Sequence, residues 1–166
     1  MRSPTLQSEL SRLEAELNTL ERKGVLVDVP YPHYEAFEAD EQNPPSLRVS
    51  GIAAMNSNIL IAYVRDFDLH QPGKGPALVI DEERSYSAVL QGEGTIVRFD
   101  SGHATHSPNP HLHTSWTSLA ELEPPTMPLA SSIELGNFID RIEDWRLDHL
   151  HHLPTYPASL ANVRWP

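Results

Sequence analysis

Apolar residues near the N-terminus recur at alternating spacings of four and three positions, which places them on one side of an α-helix. Ser3-Pro4 is a typical helix start and Gly24 a typical helix stop. The pattern predicts an amphipathic helix within residues 1–24. We expect its apolar stripe to pack against the protein's own sheet, with a dimer or partner-helix contact as the alternative, because similar spacing occurs in coiled coils. The stripe consists of Leu6, Leu10, Leu13, Leu17 and Leu20.

Between residues 47 and 100 the pattern changes to short segments rich in Val, Ile and Tyr, separated by Gly, Pro and Asn. This pattern is typical of β-strands joined by turns. The glycines of Gly92-Glu93-Gly94 favour a tight hairpin turn. We therefore predict an antiparallel β-meander of about five strands, preceded by a strand that begins within residues 25–29 and an irregular connection. The predicted strands of the meander are 47–55, 58–67, 77–80, 84–91 and 95–100.

The rest of the chain is predicted to form a His/Pro-rich loop at residues 101–130, a second helix at 131–152 and a tail at 153–166. Ser131 and Glu134 have the spacing of a helix capping box. Apolar residues follow at helical spacing from Leu135 to Trp145. The order of elements predicts one domain over residues 1–166 with an α+β fold, in which the N-terminal and the C-terminal helix cover one face of the sheet.

Composition narrows the function. The chain contains no cysteine, which excludes disulfides, thiolate metal sites and a cysteine nucleophile. Its net charge of −11 argues against a general nucleic-acid scaffold, although a local Arg/His site could still act on RNA. The acidic, lysine-poor composition agrees equally with a basic protein partner, a high-salt cytoplasm or a high-GC genome. We find no run of about 20 apolar residues that would cross a membrane and no secretory signal pattern. The sequence therefore predicts a cytoplasmic protein without membrane contact.

The densest group of chemically active side chains follows the last predicted strand, which carries Arg98 and Asp100. Imidazole titrates near neutral pH and is the commonest metal ligand, so this group indicates acid–base chemistry or a metal site. A hydrated surface loop is a third interpretation. A second group at positions 149, 151 and 152 is interpreted as a helix-end feature. The loop group consists of His103, His106, His111 and His113.

This stretch resembles the TumE family of toxins from prokaryotic toxin–antitoxin pairs. In that family a strand ends in an Arg-Tyr-Asp-Asn-like signature, and a His pair and a Pro-His-x-His element follow before the closing helix. Residues 96–103 read Ile-Val-Arg-Phe-Asp-Ser-Gly-His, and residues 110–113 read Pro-His-Leu-His. Phe99 replaces the family's Tyr, Ser101 its Asn, and the second His of the pair is displaced to His106. The resemblance implies a growth-inhibiting toxin with a small helix-turn-helix antitoxin as partner and RNA as the suspected target.

Cleavage of RNA without a metal needs a base for the 2′-hydroxyl, an acid for the leaving 5′-oxygen and a cation for the charged phosphorane. His113 or His111, together with His103, can supply the base and the acid, and Arg98 the cation. Asp100 lies two residues after Arg98 and thus on the same strand face. We expect it to orient a histidine and raise its pKa, or only to form an ion pair with Arg98. The remaining predicted substrate contacts are Tyr86 and His106.

The alternative is a zinc site formed by the same four histidines, His103, His106, His111 and His113. A His-x-His pair on a β-scaffold is similar to that of cupins, although the Glu expected a few residues later is absent. The chain would then be a non-catalytic or metal-binding module for a basic protein partner. We favour the site without a cofactor, because no carboxylate or cysteine stands at the usual zinc spacing. A homodimer through the N-terminal helix is a further alternative for the partner.

Overall fold

The computed structural model describes residues 3–56, 58–91, 94–102, 109–113 and 126–149. Within these ranges the chain forms two α-helices and one eight-stranded antiparallel sheet, which confirms the predicted α+β class but exceeds the predicted number of strands. No helix in the described ranges is long and apolar enough to span a membrane. The elements are α1 (Leu6–Arg22), β1 (Leu26–Asp28), β2 (His33–Phe37), β3 (Ser46–Met55), β4 (Ile59–His70), β5 (Leu78–Leu90), β6 (Gly94–Asp100), β7 (His111–His113), β8 (Thr126–Pro128) and α2 (Leu135–His149).

The strands are hydrogen-bonded in the order β1-β3-β4-β5-β6-β7-β8, and β2 also pairs with β3. Strand β1 pairs with the end of β3, where Leu26 lies opposite Met55, and β2 pairs with its start, where Phe37 lies opposite Ser46. Both short strands therefore share one edge of β3. From β3 onward, strands that follow one another along the chain are neighbours in the sheet, as predicted for a meander.

Alternation of side chains gives the sheet two different faces. Both helices pack on one of them, which we call the helix face, and their apolar side chains join those of the strands in one core cluster. Burial of each large aliphatic or aromatic side chain contributes roughly 1.5–3 kcal/mol to stability. The predicted placement of both helices on one face is thus confirmed. On β4 the side chains of the helix face are Ile59, Ile61, Tyr63, Arg65 and Phe67, all of them buried.

Helix α1 packs its leucine stripe against the helix face. Leu13, Leu17 and Leu20 are at most 3 % exposed, which confirms the predicted contact with the protein's own sheet. The helix begins after Thr5, whose hydroxyl accepts a hydrogen bond from the Ser8 backbone N–H. The N-cap therefore lies close to the predicted start at Ser3-Pro4.

Strand β5 replaces the two predicted strands 77–80 and 84–91. The strand runs unbroken through the acidic residues between them: Glu82 lies in the strand, and its carboxylate contacts Arg65 of β4 and Arg84 of β5. The ion pairs hold a polar segment inside the sheet, although its composition resembles that of a turn.

Three further strands lie where irregular structure was predicted. Strand β2 lies in the predicted connection after β1, and β7 and β8 lie in the predicted loop at 101–130. Strands β7 and β8 contain three residues each, too few for a period of two to be recognised. Helix α2 begins at Leu135, and the predicted capping carboxylate of Glu134 contacts Arg84 at 2.7 Å. The predicted residues 150–152, the tail at 153–166 and most of the loop at 101–130 fall outside the described ranges.

Gly51 and Gly136 give a matched test of the packing. A Cβ at Gly51 would overlap the Tyr63 ring across the β3–β4 pair, whereas a Cβ at Gly136 of α2 meets nothing within 4 Å. We expect Gly51→Ala to destabilise the protein by about 1–3 kcal/mol through overpacking, and Gly136→Ala to stabilise it by up to about 1 kcal/mol through helix propensity. Urea unfolding of both variants measures the difference, and equal stabilities would contradict the packing of Tyr63 on Gly51.

Candidate functional site

The pairing of β6 with β7 brings four of the predicted site residues together. Arg98 lies opposite His113, and Asp100 lies opposite His111. The residues between them, Phe99 and Leu112, are fully buried in the core on the helix face. Because neighbouring side chains on a strand point to opposite faces, the four site residues share the face away from the helices. We call Arg98, Asp100, His111 and His113 the Asp100 cluster.

Asp100 is the centre of this cluster and is fully buried. Its Oδ1 accepts hydrogen bonds from Nε and Nη2 of Arg98 at 3.0 and 2.9 Å. Its Oδ2 lies 3.0 Å from Nε2 of His113 and 3.9 Å from Nε2 of His111. Burial alone would raise the pKa of Asp100, but a hydrogen bond from the Ser85 side chain and the charge of Arg98 hold that pKa below its ordinary value. Asp100 is therefore ionised at neutral pH.

The ionised carboxylate decides the tautomer of His113. A carboxylate can only accept hydrogen bonds, so Nε2 of a neutral His113 must carry the proton that Asp100 accepts. The lone pair is then on Nδ1. Among the described residues, Nδ1 of His113 has no hydrogen-bond partner. The ring is thus held at Nε2, whereas Nδ1 carries the lone pair and is buried.

The pKa of His113 is lowered, which differs from the expectation that Asp100 would raise it. Burial has the largest effect and lowers the pKa, and the neighbouring His111 and Arg98 act in the same direction. The Asp100 carboxylate does raise the pKa of His113, as predicted, but not enough to outweigh burial. His113 is therefore neutral at pH 7, in the form that accepts a proton.

His111 lies next to His113 and is held by the chain itself. Its ring centroid is 4.9 Å from that of His113, with the rings 65° apart. Its Nδ1 lies 2.9 Å from the backbone carbonyl oxygen of Asn109, an acceptor, so Nδ1 carries a proton. In neutral His111 the lone pair is then on Nε2, which faces Oδ2 of Asp100. His111 is only 2 % exposed, whereas the His113 side chain is 18 % exposed.

The other predicted site residues are not part of the Asp100 cluster. Tyr86 lies on the helix face, fully buried, with its ring centroid 5.3 Å from Phe99 and 5.7 Å from Phe138. It cannot contact a substrate on the opposite face of the sheet. His103 and His106 lie outside the described residues. Ser85 was not among the predicted site residues, although it pairs with Asp100 across the β5–β6 hairpin and hydrogen-bonds to its carboxylate. The predicted hairpin indicated that these two strands pair, but it did not define which residues lie opposite one another.

A comparison of the chain with protein-family models, with curated proteins and with solved structures finds no match in any of them. The resemblance to the TumE family therefore rests on the motif of residues 96–113 itself.

The pKa of His113 provides a test of the Asp100 cluster. Because the folded pKa lies below the ordinary value of 6.5, the folded state binds fewer protons than the unfolded chain between these two values. The contribution of neutral His113 to the stability of the folded protein is therefore complete above pH 6.5. It is lost as the pH falls through the pKa of His113 in the folded state. We expect Asp100→Asn to lower the pKa of His113 further, since it removes the carboxylate that raises it.

An NMR titration of the His113 ring in chelator-treated protein measures this shift. Asp66→Asn, which removes the carboxylate of the ion pair with Arg48 on β3 and β4, is the matched control and should leave the pKa of His113 unchanged. A pKa of His113 that rises in Asp100→Asn would contradict the hydrogen-bond assignment.

Proposed function

We propose that the chain is the toxin of a toxin–antitoxin pair and cleaves RNA without a metal ion through the Asp100 cluster. One observation carries this proposal: a single buried carboxylate holds a guanidinium and a neutral imidazole side by side. Both groups lie at positions of the TumE-like motif, Arg98 in its strand and His113 in its Pro-His-x-His element. The partner in this proposal is a small helix-turn-helix antitoxin.

His113 is the general base of the proposed reaction. Its Nδ1 is buried in the free protein, so the substrate reaches it only when the site opens. Nδ1 then takes the proton from the 2′-hydroxyl of RNA, and the 2′-oxygen attacks the adjacent phosphorus. Asp100 is a positioning residue: it accepts the Nε2 proton of His113 and stabilises the imidazolium that forms, as the carboxylate of a catalytic triad does. The lowered pKa of His113 keeps the base unprotonated at neutral pH.

Arg98 binds the phosphate and stabilises its developing charge. Its side chain is 48 % exposed, whereas Asp100 beneath it is buried. Guanidinium has five N–H donors in a planar fork. Its described contacts with Asp100 use Nε and Nη2, so donors remain for a phosphate oxygen. The carboxylate thus fixes the orientation of the guanidinium before the substrate arrives, which reduces the cost of reorganisation.

The proposal needs a second histidine as the acid that protonates the leaving 5′-oxygen. Two residues are candidates: His111, whose ring adjoins that of His113, and His103, which the motif supplies. The products are a 2′,3′-cyclic phosphate and a 5′-hydroxyl end. Substitution of each histidine in turn separates the two candidates. The variant that lacks the acid should lose cleavage of RNA but should still cleave a substrate whose leaving group needs no proton.

Activity of three variants tests the assignment of roles. His113→Asn should lower the rate of RNA cleavage by about 10²–10⁴-fold, the usual contribution of a general base, and should relieve growth inhibition in the host. Arg98→Ala should act in the same direction. His70→Asn, at the end of β4 and exposed, is the matched control and should cleave RNA like the unaltered protein. Equal toxicity of His113→Asn and the unaltered protein at equal protein levels would contradict the proposal.

A specific observation also supports a second function, a metal-binding module that engages a basic partner. One ligand atom each of Asp100, His111 and His113 lie within 4.8 Å of one another. This set differs from the predicted zinc ligands, because Asp100 takes part and His103 and His106 are outside the described residues. If Nε2 of His113 were the ligand atom, its proton would have to move to Nδ1. A bound cation would also lie close to the positive charge of Arg98. This repulsion favours the first proposal.

Metal content distinguishes the two functions. We expect the purified protein to hold less than stoichiometric metal, and its activity to survive a chelator and to show a bell-shaped pH profile bounded by imidazole-like pKa values. Elemental analysis and activity before and after chelation are the measurements. One tightly bound metal ion per chain, lost in the double variant His111→Ala/His113→Ala, would overturn the metal-free reaction and support the second function.

A further inference from the structure

A groove of about 270 Å³, lined by both apolar and polar side chains, lies between α1 and the chain that connects β1 with β2. Leu10, Leu13 and Leu17 of α1 line one side of it, and the opposite side includes Val29 and Tyr34. Strands β3, β4 and β5 separate this end of the sheet from the Asp100 cluster on β6 and β7. The groove is therefore a second surface, distinct from the proposed catalytic site.

Large apolar side chains are exposed beside this groove. Among the described residues, four of the seven exposed large apolar side chains lie between positions 27 and 37. Tyr31 is 97 % exposed and therefore does not pack into the core of its own chain. A concentration of exposed aromatic and aliphatic side chains in so short a segment is typical of a protein-binding surface. The four residues are Val27, Tyr31, Tyr34 and Phe37.

Strand β2 offers a backbone edge next to the groove. Within the described part of the chain it pairs with β3 alone, and all five of its residues are exposed. Edge strands in soluble proteins are commonly protected by Lys, Pro or a covering element. The sequence of β2, His-Tyr-Glu-Ala-Phe, contains neither Lys nor Pro. The strand can therefore accept another strand by main-chain hydrogen bonds.

The charge of this region defines the partner. Residues 25–47 contain five carboxylates and no Lys or Arg. The neighbouring cation Arg48 lies opposite Glu35 and over the Phe37 ring, and it forms an ion pair with Asp66. Glu14 lines the groove itself. This charge repels nucleic acid, anionic membranes and a second copy of the same acidic surface, and it attracts a cationic segment.

We propose that the groove and the outer edge of β2 together bind a basic, extended segment of a protein partner. The main chain of this segment pairs with β2, an apolar side chain enters the groove, and its Arg or Lys side chains face the carboxylates of residues 25–47. Binding at this surface does not depend on whether the Asp100 cluster cleaves RNA.

Three labelled nine-residue peptides test the proposal by fluorescence anisotropy with the full chain. One alternates Arg with Val, the second alternates Arg with Ser, and the third alternates Glu with Val. We expect the Arg/Val peptide to bind about tenfold more tightly than the other two, because it alone carries both charge and apolar anchors. Its affinity should fall as salt rises, since the carboxylates are exposed and therefore screened. Equal binding of the Arg/Val and Arg/Ser peptides would mean charge attraction without a groove and would overturn the proposal.

Two variants locate the binding surface. Tyr31→Ser/Tyr34→Ser should weaken the Arg/Val peptide at least about fivefold. Ile80→Ser, at an exposed apolar residue on β5, is the control and should bind like the unaltered protein. Bound peptide should also slow hydrogen exchange of backbone amides in residues 33–37. Unchanged exchange in β2, or unchanged affinity in the tyrosine variant, would contradict the proposal.

The outcome can be separated from that of the catalytic proposal. His113→Asn should bind the Arg/Val peptide as tightly as the unaltered protein does. The tyrosine variant should cleave RNA as fast as the unaltered protein does. Sedimentation of the unaltered protein and of the tyrosine variant tests a competing occupant. A dimer that dissociates only in the variant would assign the surface to a second copy of the chain and overturn the proposal of a basic partner.

Discussion

The register of the β5–β6 hairpin is the constraint on which both faces of the sheet depend. Val89 pairs with Thr95 but Ala88 pairs with Val97, so the register shifts by one residue at a bulge. Beyond the bulge, Phe99 faces the core and Asp100 faces the other side. A one-residue slip would exchange the two faces, placing the Asp100 carboxylate among the apolar side chains of the helix face and Phe99 among the polar side chains of the other. The same apolar packing that stabilises the helix face therefore also places the Asp100 cluster.

A buried ionic network links the two helices to the sheet. The Arg65 side chain of β4 is fully buried and contacts the carboxylates of Glu82 on β5 and Glu9 on α1. Arg84 contacts Glu134, which directly precedes α2. Removing one partner of such a pair costs roughly 3–5 kcal/mol, because it leaves a buried charge uncompensated. The network thus restricts the positions at which the helices can pack on the sheet. Apolar contacts alone are less directional and would define these positions less sharply.

Long periodic segments were predictable from sequence, and single-residue irregularities were not. Helix α1 and strands β3 and β6 lie within about two residues of their predicted bounds, the usual uncertainty of element ends. Alternation on β6 also correctly placed Arg98 and Asp100 on one face. Counting straight back from the hairpin loop places Tyr86 opposite Arg98, whereas the bulge places it opposite Phe99. The bulge therefore places Tyr86 on the helix face and Ser85 beside Asp100.

Strand β7 depends on the core to present its histidines. It has only three residues, and Leu112 between the two histidines is fully buried. Its pairing with Phe99 holds the strand against β6, so His111 and His113 both face Asp100. Backbone hydrogen bonds alone stabilise so short a strand only weakly. The geometry of the Asp100 cluster therefore follows from one buried leucine and one buried carboxylate on opposite faces of the same strand pair. This arrangement couples the protonation of His113 to the packing of the core.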